Sequence, residues 1–502
     1  PGGSIPWGPW LGPIAFWGGF FVALSVMLVC LAALLRRQWV ERERLAYPIM
    51  GLATELLHNQ PREGEKPFWR NPLMWTGLLA AFGLASLWPL SRLSTDLLQF
   101  PFTPPKTDYY WFDGSGSLIL RFKFSTPIIA LTYLIPQDVA LSCWFFNMLY
   151  QLQRRLYANT GFDVVPFYEP YVWGGPAFSG QAIGAFLFVG MSSFWLARRH
   201  LAHVWRGLWR PGPVEGEGDE ILPYRAACLG LAASFAVVTG FLVAMGSPLW
   251  MALLVLVAAV FCMVAITKIA IQCGLGWLDA PMPAPTMVTT LAGTQGLSTQ
   301  ALASLGAHFA WTTPMRLTEL GTVSHGLKVA SDARASKRGL VAAVMLGGVV
   351  GLAVSFAFHM RVAYNRGGAN SYGWFYSSYA RLPWNYAVDK MNRPEPAGWR
   401  SMGFIAAGAG VAGFMQFMRS SFVWWPFSVV GYAGAMLSTT NKFWFSIFLV
   451  WLVKGMLVRY GGQRAYRAGK PLFLGLFLGQ ILAQGLWYLL GRAAGFQGSV
   501  PW

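Results

Sequence analysis

The sequence predicts an all-α polytopic membrane protein, with roughly 10–11 transmembrane helices plus broken or re-entrant half-helices. Three observations predict it. Only 12% of the 502 residues are charged and 55% are hydrophobic, whereas a soluble domain carries about 25% charged residues. Uncharged apolar runs at 14–35, 226–246 and 340–358 reach the roughly 20 residues that a bilayer crossing needs. Basic residues gather where such runs end: Arg36 and Arg37, Arg154 and Arg155, Arg198 and Arg199, Lys337 and Arg338, and the stretch 459–470. That is the positive-inside pattern of cytoplasmic loops, and it accounts for the net charge of +18 without nucleic acid. The chain begins at Pro1, residues 1–13 carry no Lys or Arg, and no cleavable signal is expected. Part of the first half is expected to precede Pro1.

The elements follow in order. The first span, 14–35, ends in RRQWVERER, and LAYPIMGLATELL follows as an amphipathic stretch opened by Pro48. A span at 73–90 leads to a polar, aromatic connection over 91–125. The apolar piece 126–137 is bracketed by Pro127 and Pro136. It is too short to cross and predicts a half-helix or re-entrant turn. A helix over 139–153, a loop holding Asp163 and Glu169, and a span at 180–197 come next. The charged stretch 201–223 reads as a cytoplasmic linker between a first transmembrane part (1–200) and a second (224–502). Spans at 226–246 and 249–271 precede a broken segment over 272–305. A polar surface or lining helix falls at 311–338, and 361–400 reads as an external aromatic loop. Further spans are expected at 340–358, 402–418, 422–438, 443–458 and 472–490. Charge counting does not close over 91–178. Small residues four apart, Ala406 with Gly410 and Ala409 with Gly413, predict a close helix contact.

The broken segment carries the chemistry. In hydrocarbon an unpaired backbone group costs several kcal/mol. Gly274, Gly276, Pro281, Pro283 and Pro285 prevent a continuous helix, so at membrane depth this stretch lines a cavity, as broken helices in transporters do. Asp279 is then an intramembrane acid, with Thr286, Thr289 and Thr290 adding hydroxyls. An interfacial loop with Asp279 in water is the other reading. Lys268 and Lys454 lie near span ends and are expected to snorkel to the interface. Asp138 is expected to cap a helix. The five cysteines, Cys30, Cys143, Cys228, Cys262 and Cys273, form no CxxC pair, and the six His show no ligand spacing. No disulfide framework, metal, cofactor or enzymatic motif is expected.

Three blocks carry a resemblance. ERLAYPIMGLATELL at 43–57 resembles a motif of the oligopeptide transporter (OPT) superfamily, with Tyr47, Pro48 and 53–57 matching in kind. CGLGWLDAPMPAPTMVTTLAG resembles its second signature, with Asp279-Ala-Pro281 where that family has Asn-Pro and with the Ser-Gly pair absent. LTELGTVSHGLKVASDARASKRGLVAAVMLG at 317–347 is similar to its third, with Glu319 in place of Asp. A bacterial branch of the superfamily shares RRQWVERERL, DVALSCWFF and WLVKGMLVRYGGQRAYR in similar words. The resemblance implies inverted repeats and a central site of short broken helices. It also implies proton- or cation-coupled movement of a peptide-like or chelate solute across a bacterial inner membrane. The site would combine Tyr47, Glu55, Asp279, Thr286 and Glu319. Partners would be the bilayer, the solute and the coupling cation, with a homo-oligomer or membrane-complex partner left open. The alternative is a scaffold subunit that keeps the fold without transport. The two part on one feature: a polar-lined cavity around Asp279 and Glu319, or a filled interior. An enzyme acting on a lipid-linked substrate would need a converging acid, base or metal cluster, and the sequence shows none.

Overall fold

The computed structural model describes residues 4–57, 67–93, 108–111, 118–161, 171–172, 175–209, 212, 214, 217–218, 220–276, 278–313, 318–333, 337–371 and 374–494. Asp163 and Glu169 lie outside the described residues. Among the described residues the architecture is helical apart from one antiparallel pair of strands. In chain order the helices are α1 (Trp7–Arg37), α2 (Gly51–Leu57), α3 (Pro72–Leu93), α4 (Thr126–Leu134), α5 (Gln137–Thr160), α6 (Pro176–Leu208), α7 (Tyr224–Ala244), α8 (Leu249–Cys273) and α9 (Ala284–Ala292). There follow α10 (Thr299–Thr312), α11 (Glu319–Asp332), α12 (Lys337–Arg366), α13 (Gly368–Ser371), α14 (Ala380–Asn392), α15 (Trp399–Ser421), α16 (Val429–Ala435) and α17 (Ser438–Ala494). Strands β1 (Asp108–Trp111) and β2 (Leu118–Arg121) pair antiparallel, with Asp108 opposite Arg121.

Among the described residues, seven helical stretches are long and apolar enough to cross a membrane, which makes this an all-α membrane protein by length and composition. The seventh, Ser438–Ala493, takes in both expected spans 443–458 and 472–490 and is interrupted at Gly462, whose φ is +62°. Two expectations are corrected. Residues 422–438 do not form a span: the chain turns after Ser421 and makes only the seven-residue α16, because WWPFS places Pro426 where a helix would need an amide donor. Residues 361–400 are not a loop. They continue α12 to Arg366 and then form α13, a π-helical turn over Trp374–Tyr379, and α14.

The chain folds into two compact units. Unit 1 takes Pro1–Arg44, Val165–Thr267 and Asp279–Val411, and unit 2 takes Leu45–Val164, Lys268–Leu278 and Ala412–Trp502. The expected linker 201–223 runs inside unit 1, where α6 carries its first residues as helix to Leu208.

In unit 1, α1 packs along α7 through aromatic edges, with Phe16 and Phe241 centroids 5.0 Å apart. Its basic end is fastened by charge. The buried Arg36 guanidinium grips Glu220 with Nε and Nη2, both at 2.6 Å, and Nη2 also reaches Glu41 at 2.8 Å. Glu217 accepts the Val214 and Tyr224 amides and so caps the start of α7. The expected close contact on α15 is present. It runs through Gly180, Gly184 and Gly408, where an added Cβ at Gly184 would lie 2.0 Å from the Ile405 carbonyl and one at Gly408 2.0 Å from that of Gln181. A Cβ at Gly410 would meet nothing, so the partner α6 chose a neighbouring register.

Unit 2 holds the tighter version of the same device. On α3 and the second arm of α17, Gly77, Gly475 and Gly479 face backbone carbonyls that any side chain would strike, at 2.2, 2.1 and 2.2 Å. Buried Ala81, Ala85 and Ala483 extend the seam, and Trp487 closes it by donating to the Ser86 hydroxyl at 2.8 Å. Backbones this close gain dispersion contact that lipid tails cannot match.

Candidate functional site

The broken segment is discontinuous as expected, with two interruptions. The first follows α8. Gly274 takes φ +63° and returns its N–H to Ala270 at 3.0 Å, the left-handed ending that glycine makes without strain. In unit 2 the Tyr47 N–H then satisfies the buried Ile271 carbonyl at the helix end at 3.0 Å, with Tyr47 itself held at φ +48°. Helix α9 restarts in unit 1 at Pro283 and Pro285, which cost nothing where no intrahelical donor is needed. The second interruption follows Gly293 (φ +71°), whose Cα packs against the 395–397 backbone. Thr294 and Glu395 exchange bonds there: the Thr294 amide donates to the Glu395 carbonyl and the Glu395 amide to Thr294 Oγ1, both at 2.8 Å. Ser298 accepts the Ala301 amide at 3.2 Å and so opens α10.

The residues expected to form one site fall in both units. Tyr47 and Glu55 belong to unit 2; Asp279, Thr286 and Glu319 belong to unit 1. Gly276 is exposed, Asp279 is half-buried, and Pro281, Pro283, Pro285 and Thr286 are buried. Thr286 Oγ1 has no hydrogen-bond partner, and Thr289 meets the Tyr386 hydroxyl at 2.6 Å. Glu319 opens α11 and accepts from Ser25 at 2.5 Å. Burial raises its carboxyl above the ordinary range, against the smaller lowering by Ser25. Glu55 is ion-paired to Lys470 at 2.6 Å, with both side chains about one third exposed to solvent (37% and 33%).

Two cavities in unit 1 are lined by none of these five. One, of about 590 Å³, is walled by the second interruption itself, with Gln295, Ser298 and Gln300 facing Ser247 and Trp250. The other, of about 780 Å³, has an aromatic wall that includes Trp17, Tyr171, Phe309, Phe375, Tyr379 and Trp384. Gln300 lines both, and Ser304 lines the second. No Asp, Glu, Lys, Arg or His stands among the described lining residues of either. Tyr171 sits at φ +63° and donates its hydroxyl to the Tyr379 carbonyl at 3.1 Å. A non-glycine residue held there costs of order 1–3 kcal/mol, a strain that gathers at functional walls.

Helix α10 carries Gln300, Ser304 and His308 four residues apart on one face. Ser247, in the α7–α8 turn, meets both Ser304 (2.8 Å) and His308 Nε2 (2.7 Å). The proton order follows from counting. Ser304 donates to the Ala301 carbonyl at 2.7 Å, so Ser247 donates to Ser304 and His308 Nε2–H donates to Ser247. That leaves Nδ1 as a bare acceptor, and it has no partner. Burial pushes the His308 imidazole down to about 4, which keeps it neutral at pH 7. A nucleophilic serine would need the opposite proton order and a carboxylate on Nδ1. The cluster instead fixes α10 to the α7–α8 turn.

In unit 2 the short piece 126–137 forms a half-helix, α4, that ends at Leu134 and is followed across Pro136 by α5. Lys454, expected at the interface, is buried and donates to the Ile135 carbonyl at 2.5 Å. Its ammonium lies 4.8 Å from the Tyr466 ring centroid and 5.9 Å from that of Tyr133. Lys268 is buried too, so neither lysine snorkels. Asp138 is not a cap: α5 has no side-chain cap bond, and Asp138 pairs with Arg419 at 2.6 Å. Gln137 donates to the Trp451 carbonyl at 2.7 Å.

The chain belongs to a family of unknown function (DUF6785), whose model matches residues 1–501. No curated protein matches it.

Proposed function

We propose that this chain is a secondary transporter, and that unit 1 binds a small uncharged or weakly hydrated solute in the cavities on either side of Gln300. The observation that carries this reading is the wall of the first cavity. The second interruption of the broken segment turns its Gly293–Ser298 backbone and the Gln295, Ser298 and Gln300 side chains toward open space. Irregular backbone in a membrane protein is tolerated beside a cavity, and transporters use it to hold solutes. Among the described residues the walls carry no Asp, Glu, Lys, Arg or His, which favours a solute with an apolar or ring face and a neutral polar end over a zwitterionic peptide or a charged chelate. A buried ion without a partner costs several kcal/mol. The positive-inside count puts the start of α7 in the cytoplasm, so the turn at 245–248, and the cavity with it, opens outward. An OPT-like alternating-access plan in a bacterial inner membrane is part of the proposal.

The scaffold reading keeps one observation of its own. Residues 280–289, where the expected site was centred, are buried and line neither cavity.

The test is a thermal-shift screen of the purified chain against neutral solutes, followed by uptake of each hit into proteoliposomes. Stabilisation by a solute, weakened in Gln300→Ala and kept in Asp279→Asn, supports the reading. A hit lost in Asp279→Asn or Glu319→Gln and kept in Gln300→Ala moves the site to the earlier expectation. Uptake of none of the hits leaves the scaffold.

A further inference from the structure

We propose that the Lys454 ammonium is a tethered cation filling a monovalent-cation site at the α4–α5 break of unit 2. Four observations build the site. Ile135, just past the last residue of α4, has a carbonyl that points at the ammonium from 2.5 Å. That is the negative end of a nine-residue half-helix, where peptide dipoles leave partial negative charge. Two tyrosine rings, Tyr466 and Tyr133, turn within cation–π reach. Their positions are fixed independently of the lysine: Tyr133 donates to the Tyr466 carbonyl at 2.8 Å and stacks on Phe473 with centroids 3.9 Å apart. Lys454 makes no ion pair among the described residues. Asp138, at the start of α5, is paired with Arg419 at 2.6 Å.

The surroundings are what a small cation needs rather than what a structural lysine usually has. A structural buried lysine sits on a carboxylate, because a full negative charge is the cheapest compensation. Here the compensation comes from a helix-end carbonyl and ring faces, which are ligands for a weakly bound monovalent ion. Half-helix carboxyl ends hold coupling cations in transporters. If the transporter reading holds, the consequence is that the chain carries this cation on its own side chain, and movement of solute does not require sodium or potassium. The binding site itself does not rest on that reading.

The experiment is cation rescue of Lys454→Ala, purified and read by thermal unfolding without any solute. Truncation removes the ammonium and leaves the carbonyl and the two rings. Wild type is expected to unfold at the same temperature in ammonium, methylammonium, sodium, potassium and tetramethylammonium chlorides of equal ionic strength. Lys454→Ala is expected to unfold lower and to rise with the logarithm of the concentration of ammonium or methylammonium, as ligand linkage requires, and not with tetramethylammonium, which is too large. If the variant is recovered only as aggregate, it is prepared in ammonium throughout; recovery there supports the site. A variant that no small cation raises above tetramethylammonium, or that stays aggregated in all of them, overturns the proposal. Cation rescue with no uptake of any solute would leave the site standing and remove the transporter reading alone.

Discussion

Arg36 and Lys454 are both cations removed from water, and the chain treats them in opposite ways. Arg36 in unit 1 is held by two carboxylates: its fork closes on Glu220 and a further N–H meets Glu41. The Tyr224 hydroxyl adds a contact to Glu220 at 3.3 Å. Lys454 in unit 2 has a carbonyl and two rings. The first arrangement is costly to disturb and does nothing but hold. The second is balanced by neutral groups that could release or exchange a cation. Planar bidentate pairing suits arginine, and a compact, mobile charge suits lysine. The difference teaches that burial of charge alone does not mark function; the nature of the compensating groups does.

The largest way to break this comparison is to orphan the first cation. Glu220→Gln should cost about 3–5 kcal/mol, as for any buried pair that loses one partner, read as a fall in unfolding temperature. A loss under about 1 kcal/mol would mean that Glu41 suffices and that the contrast is false. Next comes the double change Arg36→Met with Glu220→Leu. It should recover most of that loss, since replacing both charges by apolar groups is often neutral or stabilising; a double variant as unstable as Glu220→Gln would show that the pair also positions α7. Smaller again is Lys454→Met, which nearly fills the volume without charge but leaves the buried Ile135 carbonyl without its donor, and should cost about 1–3 kcal/mol. A loss as large as that of Glu220→Gln would make Lys454 a second latch. Smallest in stability is Gln300→Ala, on a cavity wall, expected within about 0.5 kcal/mol while it weakens solute-dependent stabilisation.

Much of the architecture was legible. Proline and glycine at 127, 136, 274, 283, 285 and 293 mark helix ends that the structure places there, because these residues act through local backbone geometry. The close contact of α15 was legible as a tendency and not as a register, since which glycine faces a neighbour depends on the neighbour. The seam of α3 with α17 carries the same signal, with Gly475, Gly479 and Ala483 each four apart, and could have been read the same way. Residues 361–400 hid their helices because aromatic and polar side chains mask the apolar period. The candidate site was half legible. Gln300, Ser304 and His308 recur every four residues, a stripe that sequence alone shows. Ser247 joins them only by folding, and so does the meeting of Lys454 with Ile135, since 319 residues separate the two.

The seam between α3 and α17 also sets a clock. Trp487 and its partner Ser86 are 401 residues apart. At roughly 5–20 residues per second, the ribosome takes on the order of 20–80 s to deliver the second half of that seam. Throughout this time the glycine and alanine face of α3 is in the membrane without its mate, offered to any other helix with small residues. The most vulnerable moment of this protein is therefore its birth. Slowed elongation, or a shortage of membrane chaperones, should reduce the yield of unit 2 before it touches any activity.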